Sequence, residues 1–242
     1  MTEQYLGGVH AVKTMFERYP RHIKGFWLAK GSKHTDWFVE MAKQHGIELQ
    51  YCDKPTLDQW LPGVNHQGVA VLCRQLPSLG LSDLLDQCFK REGAPLLLVL
   101  DCIQDPQNLG ACLRSAAAFG VDGVIIPKDR AVGVTPTVIK VAAGGAAIVP
   151  VVRVTNLARA MRQLKERGVW LYGTSEYAGE GVASADVRLP VAWVMGNERK
   201  GLSRTVMQQC DALYSIETSG FSTLNIATST GICLYYTHLN RL

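Results

Sequence analysis

The sequence lacks the features that would place it in a membrane, in a disulfide-rich secreted scaffold or around a zinc ion. Its 242 residues contain no uninterrupted apolar run of about 18 residues, which is the length that a membrane helix needs. The first residues show no basic segment followed by an apolar one, so we expect a cytoplasmic protein. The seven cysteines are scattered and never spaced C-x-x-C, which predicts reduced thiols.

The sequence also has little of the features typical of nucleic-acid binding, metal binding and dinucleotide binding. The formal net charge is only +4, so binding to nucleic acid would need a local basic patch rather than a global field. No two histidines stand four residues apart, and we therefore expect no metal. No G-x-G-x-x-G follows a strand-like run, which argues against a dinucleotide-dependent oxidoreductase.

The periodicity of apolar residues indicates an α/β protein with two domains. Residues 1–75 alternate short helical and strand-like patterns and predict a small α/β domain. Residues 76–94 carry Pro, Ser and Gly around one short amphipathic segment, and we interpret them as a linker. Residues 95–242 show the strand–loop–helix alternation of a mainly parallel sheet, in which the continuous apolar run Leu96–Leu100 predicts a strand buried on both faces.

One candidate motif lies just after that strand, and reads Asn108-x-Gly110-x-x-x-Arg114. On a helix that begins with Asn108 as its N-cap, Arg114 lies in the second turn, where its guanidinium can reach a bound anion. Gly110 would let another backbone approach the helix closely. A capped helix with a surface arginine explains the same pattern without any function.

Two more motifs follow predicted strands near the end of the sequence. Gly196-Asn197-Glu198-x-x-Gly201 supplies a carboxylate and two glycines, and Ser219–Asn225 offers hydroxyls and an amide ahead of the last helix. Each pattern alone also fits an ordinary turn or cap. Because loops at the carboxyl ends of parallel strands bind ligands, these two loops and Gly173-Thr174-Ser175 together predict one pocket for a nucleoside-type cofactor.

The SpoU family of RNA ribose 2′-O-methyltransferases, within the knotted SPOUT class, has three motifs that this sequence resembles. They are Asn108-x-Gly110-x-x-x-Arg114, Gly196-x-Glu198-x-x-Gly201 and Thr223-Leu224-Asn225-Ile226, and the resemblance covers residues 96–238. Residues 5–75, with Leu6–Val12 and His66–Val69, resemble the substrate-binding domain of the bacterial 23S ribosomal RNA guanosine methyltransferase branch, which is similar to ribosomal protein L30e. Asp129-Arg130 and Val152–Arg159 favour that branch over the transfer RNA branch.

The resemblance implies a fold, a cofactor and a set of site residues. The implied fold has a deep C-terminal trefoil knot, and the implied assembly is a homodimer that 2′-O-methylates a guanosine in 23S ribosomal RNA. The implied methyl donor is S-adenosylmethionine, held mainly through backbone groups near Thr174, Gly196, Asn197, Ile216 and Leu224. Arg114 is implied to assist attack by the ribose hydroxyl, in a site arranged by Asn108, Glu198, Thr223 and Asn225.

Departures in the third motif leave two alternatives open. Glu217-Thr218 stands where the family has Pro-Met, Thr223 replaces a serine, and the loop between them is one residue short. An RNA-binding or ribosome-assembly protein that has kept the fold and lost turnover is one alternative, and a transfer RNA methyltransferase is the other. Near the amino terminus a cluster of basic residues with two tryptophans predicts either an RNA contact or a solvated face over core tryptophans: Arg21, His22, Lys24, Lys30, Lys33, His34, Trp27 and Trp37.

Overall fold

The fold was analysed on a computed structural model, in which residues 3–32, 35–74, 79–197, 200–220 and 224–242 are described. Four residues singled out above lie outside these ranges, namely Lys33, His34, Glu198 and Thr223. The chain divides into two compact units, Met1–Pro77 and Ser78–Leu242. Among the described residues, no helix is both long enough and apolar enough to cross a membrane.

The first unit is a four-stranded sheet with three helices. In chain order its elements are β1 (Glu3–Gly7), α1 (Val9–Arg18), β2 (Ile23–Ala29), α2 (Thr35–His45), β3 (Leu49–Cys52), α3 (Lys54–Trp60) and β4 (Val69–Arg74). The strand order is β1-β4-β2-β3; β4 is antiparallel to both of its neighbours, whereas β2 and β3 are parallel. The α/β character predicted for this part of the chain is confirmed.

Packing accounts for both tryptophans of the predicted RNA contact in the first unit. Trp37 lies edge-on to Phe16, with ring centroids 6.3 Å apart, as expected of a ring at the border of the core. Trp27 packs edge-on against Trp60 at 5.2 Å, and Trp60 stacks on Tyr5 at 4.7 Å. Both rings are half-buried and packed within the first unit, and the RNA contact of this cluster stays a prediction.

The second unit is a seven-stranded sheet covered by helices on both faces. Its first elements are α4 (Leu81–Cys88), β5 (Leu96–Leu100), α5 (Pro106–Ala118), β6 (Gly123–Pro127), α6 (Pro136–Ala142), α7 (Gly145–Ile148) and β7 (Val151–Val154). The remaining elements are α8 (Leu157–Glu166), β8 (Trp170–Thr174), β9 (Glu180–Gly181), β10 (Val191–Met195), α9 (Arg204–Met207), β11 (Ala212–Ser215) and α10 (Ile226–Leu239). The order is β7-β6-β5-β10-β8-β11-β9 and every pairing is parallel, which confirms the predicted sheet.

The two central strands are buried on both faces, as their apolar runs predict. All five residues of β5 and all five of β10 are buried. Alternate residues of β5 face opposite layers: Leu98 packs with residues of α5 and α10, and Leu97 packs with residues of α4 and α8. Trp193 of β10 is fully buried, and its indole Nε1 donates to Thr237 Oγ1 of α10 at 2.8 Å. The last helix is thereby fixed to the centre of the sheet.

Two expectations about individual elements are wrong. Residues 76–94 are not simply a linker, because α4 lies within them and buries Leu84, Leu85 and Cys88 against the sheet. Helix α5 begins at Pro106 rather than at Asn108, since the Asp105 side chain accepts from the Gln107 N–H at 2.8 Å and proline suits the first helical turn.

We expect the buried thiol of Cys233 to make stability depend on alkaline pH. The Cys233 side chain in α10 is fully buried, and this burial raises its pKa from 9.0 to about 12. Its contribution to stability is complete below the unfolded pKa of 9.0 and is lost as pH rises towards the folded pKa. The free energy of unfolding should therefore fall by about 1.4 kcal/mol per pH unit in this window through this one thiol.

Urea unfolding at a series of pH values would measure this effect, with Cys233→Ala as the comparison. The variant lacks the thiol, so its stability should decline less steeply than that of the parent protein above about pH 9. Equal slopes in the two proteins would contradict the prediction. Measuring the difference in slope removes the cost of the cavity that alanine leaves, since that cost does not depend on pH.

Candidate active site

The predicted cofactor loops follow neighbouring strands of the second unit. Because the strands are parallel, their carboxyl ends share one edge of the sheet. Thr174 ends β8, Gly196 follows β10 and Ile216 follows β11, and β8 pairs with both of the other strands. The Thr174 hydroxyl lies 3.7 Å from the sulfur of Met195 on β10. The structure thus brings three of the expected cofactor residues to adjacent strand ends.

The loop after β10 folds back on itself in a way that requires glycine. The Asn197 N–H donates to the Gly201 carbonyl at 3.0 Å, and the Gly201 N–H returns a bond to the Asn197 carbonyl at 2.8 Å. A Cβ on Gly196 would collide with the backbone of Gly201 and Leu202. Gly201 itself has a φ of 63°, in the left-handed region. Glu198, expected to supply a carboxylate here, lies outside the described residues.

A buried carboxylate that the motifs did not identify fixes this loop to the end of β5. Asp101 is only 4% exposed, and its Oδ2 accepts from the Ser203 N–H at 2.9 Å. The Asn197 side-chain amide donates to the Cys102 carbonyl at 3.1 Å. An aspartate directly after a fully apolar run is the signal that could have revealed it, since burying a carboxylate is costly unless it is hydrogen-bonded.

Close helix packing positions Arg114. A Cβ on Gly110 of α5 would lie 2.6 Å from Val141 Cβ, so α6 packs tightly there, as predicted for this glycine. A Cβ on Gly145 of α7 would lie 2.7 Å from the Leu113 carbonyl oxygen. Arg114 follows Leu113, is exposed, and forms no ion pair with any carboxylate among the described residues. Its backbone is therefore held on both sides while its guanidinium is available to a ligand.

Asparagines of the first and third motifs are in direct contact. Asn225 caps α10, its Oδ1 accepting from the Ala227 N–H at 2.7 Å. The Nδ2 of the same side chain donates to Asn108 Oδ1 at 3.0 Å. Asn108 lies in the first turn of α5, so one side chain joins the starts of two helices. Next to it, Leu224 is 36% exposed, and Thr223 lies outside the described residues.

We expect Asn108 and Asn225 to be energetically coupled. Asn225→Ala should cost about 1 to 2 kcal/mol, because it removes a helix cap and the bond to Asn108. Asn108→Ala removes the acceptor of this bond, and the double variant should lose about 0.5 to 1.5 kcal/mol less than the sum of the single losses. Urea unfolding of the four proteins measures this coupling.

Asn156→Ala measures how much stability is lost when a helix cap alone is removed. Asn156 caps α8 in the same way, its Oδ1 accepting from the Arg159 N–H at 2.9 Å. If the losses at residues 108 and 225 simply add, or if Asn225→Ala costs no more than Asn156→Ala, then the bond between the two asparagines does not stabilise the site.

A cavity lies at the amino edge of the sheet, opposite the candidate site, and its Arg241 side chain already donates hydrogen bonds to backbone carbonyls. The cavity has a volume of about 160 Å³ and is bordered by Arg241 and Asp122, among others. The Arg241 guanidinium donates to the carbonyls of Ala94 at 2.7 Å, Val187 at 2.6 Å and Leu189 at 2.6 Å. Burial lowers the pKa of Arg241. This arginine ties the chain after α10 to the sheet, and we place the candidate site at the carboxyl edge.

The second unit is thus an α/β domain with a candidate ligand site at the carboxyl edge of a parallel sheet. Its residues 95–235 match the model of the SpoU rRNA methylase family, and residues 5–79 match the model described as RNA 2′-O ribose methyltransferase substrate binding. The chain belongs to the SpoU rRNA methylase family.

Curated relatives and solved structures agree with this assignment. The 23S rRNA (guanosine-2′-O-)-methyltransferase of Shewanella oneidensis is 42% identical over 231 residues, covering 94% of each chain. The protein of the same name from Vibrio parahaemolyticus is 40% identical, covering 100% of this chain and 99% of the relative. The crystal structure of the SpoU methyltransferase AviRb from Streptomyces viridochromogenes superposes with a TM-score of 0.76 at 25% identity, covering 99% of this chain and 90% of that chain.

Proposed function

We propose that the protein transfers a methyl group from S-adenosylmethionine to the 2′-hydroxyl of a guanosine in 23S ribosomal RNA. The observation that carries the proposal is that the similarity to proteins named for this activity extends over 94% to 100% of the chain, through both units. In contrast, the solved TrmH/SpoU transfer RNA modifying enzyme of A. aeolicus covers 66% of this chain at 24% identity. The transfer RNA alternative and the alternative without turnover therefore have less support.

We assign the methyl donor to the ends of β8, β10 and β11 and the start of α10. The residues concerned are Thr174, Gly196, Asn197, Ile216 and Leu224. A nucleoside needs backbone groups for its polar atoms and apolar surface for its base. In the loop of residues 196–201, which we call the glycine loop, Gly196 and Gly201 have no side chains to cover their backbone groups. The half-buried Ile216 and the partly exposed Leu224 supply apolar surface. S-adenosylmethionine, when bound, supplies an electrophilic methyl group on a positively charged sulfur.

We assign the substrate side of the reaction to Arg114. The ribose oxygen must attack the methyl carbon in line with the departing sulfur, so much of the rate can come from alignment. Arginine is a poor base because it holds its proton strongly, whereas its planar fork can hold two phosphate oxygens. In our proposal, Arg114 orients the ribose through its phosphate, and its positive charge makes the 2′-hydroxyl easier to deprotonate, with the proton released to water.

The other proposed catalytic residues position these groups. Asn108 and Asn225 lock the start of α5 to the start of α10 through their hydrogen bond, and α5 carries Arg114. We assign supporting roles to Glu198 and Thr223 from their places in the second and third motifs.

We further propose four properties that follow from the family assignment. The first unit binds ribosomal RNA, in a cytoplasmic protein. Helix α10 passes through a loop to form a trefoil knot; its side chains Thr230 and Thr237 contact Cys112 of α5 and Trp193 of β10, respectively.

The protein forms a homodimer, and sedimentation velocity would test this. Exposed apolar side chains on α10, such as Leu239 at 54% exposure, are candidates for that interface.

The proposed activity is tested with methyl-labelled S-adenosylmethionine, 23S ribosomal RNA transcribed in vitro, and transfer RNA as a competing substrate. Digestion to nucleosides followed by mass spectrometry should identify 2′-O-methylguanosine from the ribosomal RNA alone. Methylation of transfer RNA in preference to ribosomal RNA would overturn the substrate assignment. Cofactor binding by calorimetry without transfer to any RNA would favour the protein without turnover.

A further inference from the structure

We propose that three basic residues beside the candidate active site bind phosphates of the RNA strand next to the target ribose. Lys128 and Arg130 follow β6, and Arg153 lies on β7; we call these residues the basic strip. The proposal rests on the proposed function and names the part of the enzyme that holds the flanking nucleotides. An RNA strand must be held on both sides of its reacting ribose, and phosphates are bound by exposed cations.

The basic strip lies on the same edge of the sheet as the glycine loop and the other proposed cofactor residues. The strand order β7-β6-β5-β10 places the end of β6 two strands from β10 and the end of β7 three strands away. At about 4.8 Å between neighbouring strands, these ends lie about 10 to 14 Å from the glycine loop. This separation corresponds to the nucleotides adjoining a bound ribose rather than to the ribose itself.

The charges of the basic strip are available to a ligand. All three residues are exposed, and none of them forms an ion pair within the part of the chain that the structure describes. Some other surface cations of the second unit are paired, such as Lys165 with Asp211 at 2.7 Å and Arg167 with Asp86 at 2.9 Å. The basic strip therefore places three unpaired charges together at the edge where the RNA would enter.

Hydrogen bonds hold the basic strip in one geometry. The Arg153 Nη2 donates to the Lys128 carbonyl at 2.7 Å, which fixes one side of the guanidinium to the loop after β6. Arg130 has a φ of 59°, a left-handed conformation that is uncommon for a residue with a side chain and that persists where the surroundings enforce it. The Val132 N–H donates to the Ile103 carbonyl at 2.8 Å and anchors the same loop to the one after β5.

These contacts also connect the basic strip to the glycine loop. Ile103, whose carbonyl accepts from the Val132 N–H, directly follows Cys102. The carbonyl of Cys102 in turn accepts from the Asn197 side chain of the glycine loop. Two hydrogen bonds to neighbouring carbonyls therefore join the proposed cofactor site to the loop that carries the basic strip.

The double variant Lys128→Gln with Arg130→Gln tests the proposal. Each lost phosphate contact should reduce the dependence of log K on log salt by about 0.7 to 0.9, so the double variant should lose about 1.4 to 1.8 from the slope. We expect the KM for 23S ribosomal RNA to rise about tenfold at moderate salt. The kcat at saturating RNA and the Kd for S-adenosylmethionine should not change, because neither residue belongs to the proposed cofactor site.

Lys90→Gln is the matched control for Lys128→Gln. Lys90 is an exposed lysine between α4 and β5, at the amino edge of the sheet, and its loss removes the same charge away from the proposed RNA path. This control should leave the KM and the salt slope at the parent values. Equal effects of Lys90→Gln and Lys128→Gln would show that RNA binding depends on the net charge of the protein and not on the position of the basic strip. This result would overturn the proposal.

The outcomes separate this proposal from the proposed function. RNA affinity is measured by fluorescence anisotropy as well as by turnover, so the salt slope is obtained whether or not methyl transfer occurs. A parent protein that binds RNA without transferring methyl groups would overturn the proposed activity and still allow the strip to be tested. An active double variant with the parent KM and salt slope would overturn the basic strip alone.

Discussion

Replacing Arg114 with alanine is expected to lower kcat by about 100- to 1000-fold, the usual cost of removing one charged group that stabilises a transition state. The variant should bind S-adenosylmethionine with the parent affinity, because the proposed donor contacts lie on other elements. Its stability should change by less than about 0.5 kcal/mol, since the side chain is exposed and takes part in no ion pair within the described ranges. Single-turnover methyl transfer and calorimetry give the two quantities.

Arg114→Lys distinguishes a bidentate role from a simple positive charge. Lysine keeps the charge and loses the planar fork, so we expect turnover close to that of the alanine variant. Near-normal turnover in Arg114→Lys would remove the bidentate contact from the mechanism. Arg162→Ala is the matched control, because Arg162 is also an exposed helical arginine and lies on α8, outside the proposed site.

Substitution of Gly196 by alanine is expected to have the second largest effect, on cofactor binding. The added Cβ would overlap the backbone of Gly201 and Leu202, and backbone atoms cannot move aside as a flexible side chain does. The loop must therefore open, and both hydrogen bonds between Asn197 and Gly201 should be strained or lost. We expect the Kd for S-adenosylmethionine to rise about 100-fold and stability to fall by about 1 to 3 kcal/mol.

Gly179→Ala provides the control for that substitution. Gly179 lies between β8 and β9, and a Cβ there would meet no atom within 4 Å. This variant should keep the parent affinity and stability. If Gly196→Ala bound S-adenosylmethionine as tightly as Gly179→Ala does, the loop after β10 would not form part of the cofactor pocket.

The elements that the sequence predicts most accurately are those whose environment is uniform. The predicted strand Leu96–Leu100 matches β5 residue for residue, because a strand covered on both faces is apolar throughout and ends where the chain leaves the core. Helix α4 was mistaken for part of a linker, since eight amphipathic residues among Pro, Ser and Gly do not reveal which surface they cover. Its burial depends on the sheet that forms after it in the chain.

The candidate site shows the same limit at the level of single contacts. The motifs select Asn108 and Asn225, but their hydrogen bond joins residues 117 positions apart and depends on how α10 returns to α5. Asp101 belongs to no motif, and its importance becomes visible only when its carboxylate is seen to accept from the Ser203 N–H across the strand ends. Local spacing thus identifies the loops, whereas tertiary structure decides which of their side chains meet.

The burial of Trp193 makes it an optical reporter for the last helix. Its indole is fully enclosed and donates to Thr237, whereas Trp170, the other tryptophan of the second unit, is 48% exposed. In a protein whose remaining tryptophans are replaced by phenylalanine, the emission of Trp193 should be blue-shifted in the native state and move to the red as soon as α10 leaves the sheet. Stopped-flow fluorescence would then time the docking of this helix during refolding, separately from the formation of the sheet.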